Sequence, residues 1–300
     1  MSAGSDDKRL IIVSGLSGAG KSVALHTLED LGYYCIDNLP AGFLRAVVDD
    51  VVMAEDRPSH LLAVGIDARN RAADLEALPQ LIAEFRDREI TTDVLFIQAS
   101  QSILLKRYSE TRRRHPLAEE TSRIREAIAA ERGILAEVIN SADLIIDTSQ
   151  TSIYELADLI RKRVDRRKRE SLSVLIESFG FKHGIPADAD FVFDLRSLPN
   201  PYWTLELRGL TGLDPEVAEF LNAAENVQDM HDDIFRFLER WIPEWQRAGR
   251  GYLTVAVGCT GGQHRSVYMT ERLAQSLRTV HTPVAIRHRS LKRFEDSAIE

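Results

Sequence analysis

At 300 residues the chain has room for two ordinary domains. Its composition, 44% hydrophobic and 28% charged, excludes a disordered or fibrous protein and supplies a core for each domain. A net charge of -8 argues against coating of nucleic acid by the whole surface and leaves only local basic patches for such contacts.

In chain order, Leu10–Ser14 is a short β-branched run that ends in a glycine-rich turn. Ser22–Leu31 reads as a helix closed by Gly32, with Val23, Leu28 and Leu31 as inward positions. Tyr33–Asp37 reads as a strand and 37–40 as its turn. Helical composition follows over Ala41–Ala54, and Leu61–Asp67 is an apolar strand of the kind buried on both faces. Helix over Leu75–Arg88, strand over Asp93–Gln98, helices over Ile103–Arg114 and Thr121–Asn140, and strand over Leu144–Asp147 continue the alternation. Such alternation predicts a parallel sheet with helices on both sides. Ile153–Arg169 is a helix with a basic end, Arg161 to Arg169, which is either a solvated face or an anion or RNA contact.

The domain boundary falls near Glu170–Leu172, giving domains of 1–170 and 171–300. The second half restarts with a strand over Ser173–Phe179, a glycine-bearing turn over Gly180–Gly184 and a strand over Phe191–Leu195. Helices over Pro215–Asn222 and Val227–Ala248, strand Tyr252–Gly258, loop Cys259–Ser266, helix Val267–Ser276 and strand Pro283–His288 complete it. The fold class is therefore α/β twice: a P-loop domain with a parallel sheet, then a smaller α/β domain. No apolar run approaches the roughly 20 residues of a membrane helix. The first residues, Met1–Arg9, are polar, unlike a secretory leader. The two cysteines, Cys35 and Cys259, make neither a disulfide framework nor a metal-ligand spacing. The expected compartment is the cytoplasm.

Two motifs carry chemistry. Gly15-Leu16-Ser17-Gly18-Ala19-Gly20-Lys21-Ser22 matches G-x-x-x-x-G-K-[ST] between a strand and a helix. Glycines let backbone N–H groups turn toward phosphate oxygens, and the helix N-terminus adds its positive end. Lys21 would reach the β- and γ-phosphates and the Ser22 hydroxyl would ligate Mg²⁺. Asp67 is the first candidate for the acid at the end of a second buried strand, and Asp37 the second. Either is otherwise a turn residue. Arg112-Arg113-Arg114, after Lys106-Arg107-Tyr108, read as the arginine-bearing lid of a small-molecule kinase or as a plain surface helix. The second motif is Cys259-Thr260-Gly261-Gly262-Gln263-His264-Arg265-Ser266, of the form C-x5-R-[ST]. Its amides, with Arg265 and His264, would cradle a phosphate or phosphosugar, and a helix N-terminus would lower the Cys259 thiol pKa. Because Gly258, not a histidine, precedes the cysteine and no general-acid loop is evident, a binding pocket is expected rather than a phosphatase.

The chain resembles the RapZ (YvcJ-like) nucleotide-binding proteins of bacteria. The resemblance rests on 15–22, 34–40, 67–70, 112–116, 178–184, 194–196, 200–203 and 259–266. It implies ATP at 15–22, GTP at Asp67, Ala68, Arg69 and Asn70, and slow ATPase and GTPase activity. It also implies, from enteric relatives, an RNA-binding adaptor that delivers a small regulatory RNA to a ribonuclease in response to a phosphosugar sensed by the C-terminal domain. A homo-oligomer is among the expected assemblies. Relatives of that kind end in a basic tail. Here Arg287, His288, Arg289, Lys292 and Arg293 are basic, but Glu295, Asp296 and Glu300 follow. Arg289, Lys292 and Arg293 are the candidate RNA contacts.

Overall fold

Strand β1 (Arg9–Gly15) is buried along its whole length, between one parallel neighbour that pairs with all seven of its residues and another that pairs with Arg9–Val13. The computed structural model describes residues 8–54, 60–111, 115–117, 124–164 and 172–291. It divides into two compact units, 1–164 and 165–300. The first unit runs β1, α1 (Lys21–Asp30), β2 (Tyr34–Ile36), α2 (Leu44–Val51), β3 (Leu61–Gly65), α3 (Ala72–Glu76) and α4 (Leu78–Asp87). It continues with β4 (Thr91–Gln98), α5 (Gln101–Thr111), α6 (Ile124–Ile134), α7 (Ala136–Asn140), β5 (Leu144–Asp147) and α8 (Ile153–Val164). The sheet order is β2-β3-β1-β4-β5, every pair parallel. Winding turns to one side of β1 and then to the other. The carboxyl end of β1 therefore opens on a crevice, the usual place for a ligand in such sheets.

The second unit holds β6 (Ser173–Gly180), β7 (Phe191–Asp194), α9 (Pro215–Asn222), α10 (Glu225–Arg247), β8 (Tyr252–Cys259), α11 (Arg265–Leu277) and β9 (Val284–His288). Its sheet is parallel, ordered β7-β8-β6-β9. One apolar core gathers Val174, Ile176, Val255, Val257, Leu238 and Leu273 from the central strands, α10 and α11. The three tryptophans, Trp203, Trp241 and Trp245, all belong to this unit.

Local chemistry adjusts several expected elements. The helix expected over 75–88 is two helices, because Pro79 opens α4 and cannot supply the amide that would carry α3 onward. The helix expected from Ala41 begins as a 3-10 turn, Ala41–Phe43, before α2. On α1 the inward positions are Ala24, Leu25, Thr27 and Leu28. Val23 and Leu31, expected there, are only half-buried. The helix expected to end at Arg169 is described to Val164, and 166–169 lies outside the described residues.

Candidate functional site

The loop at 15–22 is shaped by close backbone packing. At Gly15, φ is +142°, and a Cβ there would lie 2.0 Å from the Ile97 carbonyl oxygen. Only glycine lets β1 turn against β4 here. The Leu16 amide then donates to that same carbonyl at 3.0 Å. Gly20, at φ +120°, releases the chain into α1, whose N-terminus has no side-chain cap, so its first amides face the crevice. Lys21 Nζ donates to the Gly15 carbonyl at 2.6 Å across the mouth of the loop. Burial lowers the Lys21 pKa, while the carboxylates of Glu131, Asp67 and Asp37 work to keep it charged.

A brace from α6 fixes the loop from outside. Glu131 is 1% exposed. Its Oε2 accepts the Ser17 amide at 2.9 Å, and its Oε1 accepts the Ser17 hydroxyl at 2.5 Å. His115 Nε2 lies 3.1 Å from the same carboxylate. Sequence reasoning missed both residues, since nothing in their local spacing ties them to Ser17.

The two candidate acids differ in availability. Asp67, just beyond β3, is buried and held by Arg69: its carboxylate accepts the Arg69 amide at 2.9 Å and the guanidinium at 2.6 to 3.2 Å. Burial works to raise its pKa, but these bonds with the charges of Arg69 and Lys21 set it below the ordinary carboxylate value. Asp37, just beyond β2, is exposed toward the crevice, and no hydrogen bond or ion pair engages its side chain among the described residues. Gly65 makes room for it, because a Cβ on β3 would lie 2.8 Å from Asp37 Oδ1. The rest of the 67–70 segment is knitted inward. Ala68 is buried, Asn70 Oδ1 accepts the Ala41 amide at 2.5 Å, and Asn70 Nδ2 donates to the Asp67 carbonyl at 3.1 Å.

Lys21, Ser22, Asp37, Asp67 and Arg69 line a cavity of about 680 Å³ together with Arg107, Thr151, Ile153 and Leu156. Arg107 reaches over the loop, donating to the Gly18 carbonyl at 3.0 Å and the Thr148 carbonyl at 2.7 Å. The expected lid arginines, Arg112, Arg113 and Arg114, lie outside the described residues.

The second unit repeats the strand–loop–helix theme. Cys259 ends β8, and its Sγ takes the Gly262 amide at 3.2 Å and lies 3.2 Å from the Ser266 hydroxyl. Burial works to raise the Cys259 pKa. The bonds from Ser266 and Gly262 and the charge of Arg265 outweigh it, leaving the thiol below its ordinary value. Arg265 is 4% exposed. Its Nη1 donates to the carbonyls of Arg196 and Leu198 at 3.1 Å and its Nη2 to Thr260 Oγ1 at 3.4 Å, while Nε has no partner. His264 Nε2 is bonded to the Leu207 carbonyl at 3.2 Å, and burial lowers its pKa. Gly261 and Gly262 complete the loop, Gly262 at φ +71° and tight against Gly180.

The expected RNA contacts come apart. Arg289 turns inward. Its Nη1 lies 2.9 Å from Asp188 and 3.5 Å from Glu177, and its side chain is 4% exposed, so it has no face for a nucleic-acid phosphate. Lys292 and Arg293 lie outside the described residues. No helix among the described residues is long and apolar enough to cross a membrane.

A five-stranded parallel sheet of order 2-3-1-4-5, with a glycine loop and lysine at the end of its central strand, defines an α/β protein of the phosphate-loop class. A family model described as the RapZ-like N-terminal domain matches residues 8–168, and one described as the RapZ C-terminal domain matches 172–292. The chain belongs to the RapZ family. A protein of Halorhodospira halophila named "nucleotide-binding protein" is 53% identical, over 94% of this chain and 98% of its own. A protein of Pseudomonas fluorescens, also named as a nucleotide-binding protein, is 49% identical over 94% and 99%. A solved shikimate kinase from Acinetobacter baumannii overlaps 54% of this chain and 97% of its own at 19% identity, with a TM-score of 0.36, too slight a likeness to carry an assignment.

Proposed function

We propose that the first unit binds ATP and GTP at 15–22 and hydrolyses them slowly, and that the protein's role is regulatory. The observation that carries this is the Lys21 ammonium, parked on the Gly15 carbonyl at 2.6 Å beside the uncapped start of α1. In that place it would exchange one carbonyl for phosphate oxygens, with the loop amides aimed at the same charge. The relatives named as nucleotide-binding proteins support nucleotide binding as such. The purine would lie toward Arg107, Thr151 and Ile153, where hydroxyl and backbone groups can face either base. Hydrolysis is slow in this reading because Asp67 is held on Arg69.

The residues at the phosphate end fit Mg²⁺, which asks for few protein oxygens and keeps several waters. The Ser22 hydroxyl and the Asp67 carboxylate would hold it. When bound it would neutralise charge on the β- and γ-phosphates.

Titration calorimetry with ATP and with GTP tests the reading. Lys21→Ala removes a charge-assisted contact of roughly 1.5–3 kcal/mol, so affinity falls about tenfold or more. Equal affinity in a folded variant would overturn it.

For the second unit, the buried Arg265 with an unpartnered Nε favours a phosphosugar or phosphate held at 259–266. Arg265→Ala then abolishes that binding, and Cys259→Ser keeps most of it. Release of phosphate from an aryl phosphate by the native protein, lost in Cys259→Ser, would instead make it a phosphatase. The RNA-adaptor reading now rests on 166–169, Lys292 and Arg293, since Arg289 is engaged within the unit.

A further inference from the structure

Beside the nucleotide cavity lies a second one of about 530 Å³. Asn38, Phe43, Arg69, Arg71 and Asp74 form its walls. Arg69 belongs to both cavities, and Asp37, in the first, is the chain neighbour of Asn38, in the second. The two therefore meet at the phosphate end of the nucleotide site, where Asp37 and Arg69 both act on the Lys21 charge, and not at the base end.

The walls describe an occupant. Arg71 is exposed, and no hydrogen bond or ion pair engages its side chain among the described residues. Arg69 adds a second guanidinium, 50% exposed, whose bonds to Asp67 occupy only part of its donor set. Together they suit one anionic group. Asp74 is half-buried and faces Gly42, and its carboxylate, which no hydrogen bond or ion pair engages among the described residues, would accept from hydroxyl groups. Phe43, 63% exposed, presents an aromatic face at the rim.

We infer that this chamber is an acceptor site, and that the protein transfers the γ-phosphoryl group of ATP to a small polyhydroxylated molecule bearing one carboxylate or phosphate. In the transfer, an acceptor hydroxyl oxygen forms the new bond to the γ-phosphorus. The bond from that phosphorus to the β–γ bridging oxygen breaks, and ADP leaves with its electron pair. The hydroxyl proton passes to Asp37, an exposed carboxylate that lines the nucleotide cavity next in the chain to Asn38 of the chamber, and from there to water. Asp67 is unsuited to that task because Arg69 holds it. Gly65 acts as a positioning residue, since its missing side chain is what lets the Asp37 carboxylate lie against β3.

The inference rests on nucleotide binding at 15–22, so the test separates the two. The full chain is given Mg²⁺ and ATP labelled at the γ-phosphate. Four probes are added singly: glycerate, gluconate, glycerol 3-phosphate and ribose 5-phosphate. A deproteinised small-molecule extract of bacterial cells serves as a fifth. Label is divided between inorganic and organic phosphate, and ATP binding is measured separately by calorimetry. The expected result is label in an organic phosphate, with ADP formed mole for mole. Arg71→Ala then raises the KM for the acceptor about tenfold, the loss of one charge-assisted contact. Asp37→Asn lowers kcat with that KM little changed. Intact ATP binding with all label in inorganic phosphate, for every probe and for the extract, overturns the acceptor site and leaves the nucleotide reading standing. A second nucleotide bound per chain and lost in Phe43→Ala overturns it too, because the chamber would then be a nucleotide site. No ATP binding at all overturns both.

Discussion

Glu131 and Ser17 are 114 positions apart in the sequence and share two hydrogen bonds at the phosphate loop. Glu131→Ala strands the Ser17 amide and the His115 ring in a dry interior. Stability should fall by about 3 kcal/mol or more, read as a lowered urea midpoint. Glu131→Gln keeps one acceptor and should fall less. If the two variants unfold at the native midpoint, the brace does not hold the loop. Cys259 supports a pH prediction. Its folded pKa lies below the ordinary thiol value, so its share of stability is absent below the folded pKa, grows as pH rises through it, and is complete only above the unfolded value. The gap in Tm between the native protein and Cys259→Ser should therefore widen from pH 7 toward pH 9, and a constant gap would contradict the depressed thiol. These features differ in how readable they were. The glycines, Lys21 and Ser22 are contiguous, so their geometry follows from local chain chemistry. Glu131 and His115 meet Ser17 only through tertiary packing, and no local pattern marks them.

At the scale of elements, β9 is pinned by charge. Arg287 and Arg289, two positions apart on one face, both turn onto Glu177 of β6 and onto Asp188. Read along the chain, 287–289 is a basic stretch suited to nucleic acid. The acids that claim it lie about a hundred positions earlier: the parallel pairing of β6 with β9 sets Glu177 opposite Arg287, and Asp188 comes in from the segment after β6. Removing one partner of a buried ion pair costs about 3–5 kcal/mol, so Arg289→Ala should unfold at clearly lower denaturant. RNA affinity, if the native protein has any, should not change, and a fall in affinity without a fall in stability would reverse this assignment. Gly212 makes a second element-level case. A Cβ there would lie 2.3 Å from the His264 carbonyl oxygen and from the Tyr268 amide nitrogen, at the start of α11. Gly212→Ala should push that helix start away and weaken both stability and phosphosugar binding at 259–266. The second cavity of the first unit was equally hidden. Phe43 sits on a segment that reads as an ordinary helix start and Arg71 on one between a strand and a helix that carries no motif, and they gain meaning only when β2 and β3 lie side by side.

For the whole molecule, alternating strands and helices make two α/β units legible from apolar runs alone, whereas the winding order of each sheet comes from how crossovers pack. Ligand linkage supplies the prediction at this scale. ATP at about 100 times its Kd should add about 2.7 kcal/mol to the unfolding free energy of the unit that binds it. Scanning calorimetry should show that shift in the native protein and not in Lys21→Ala. The placement of Trp203, Trp241 and Trp245 in residues 165–300 gives the molecule an intrinsic optical partition. Excited at the red edge of the indole band, the protein emits from the second unit alone. A change in that emission on adding ATP would then be a label-free measure of signal passing from one unit to the other.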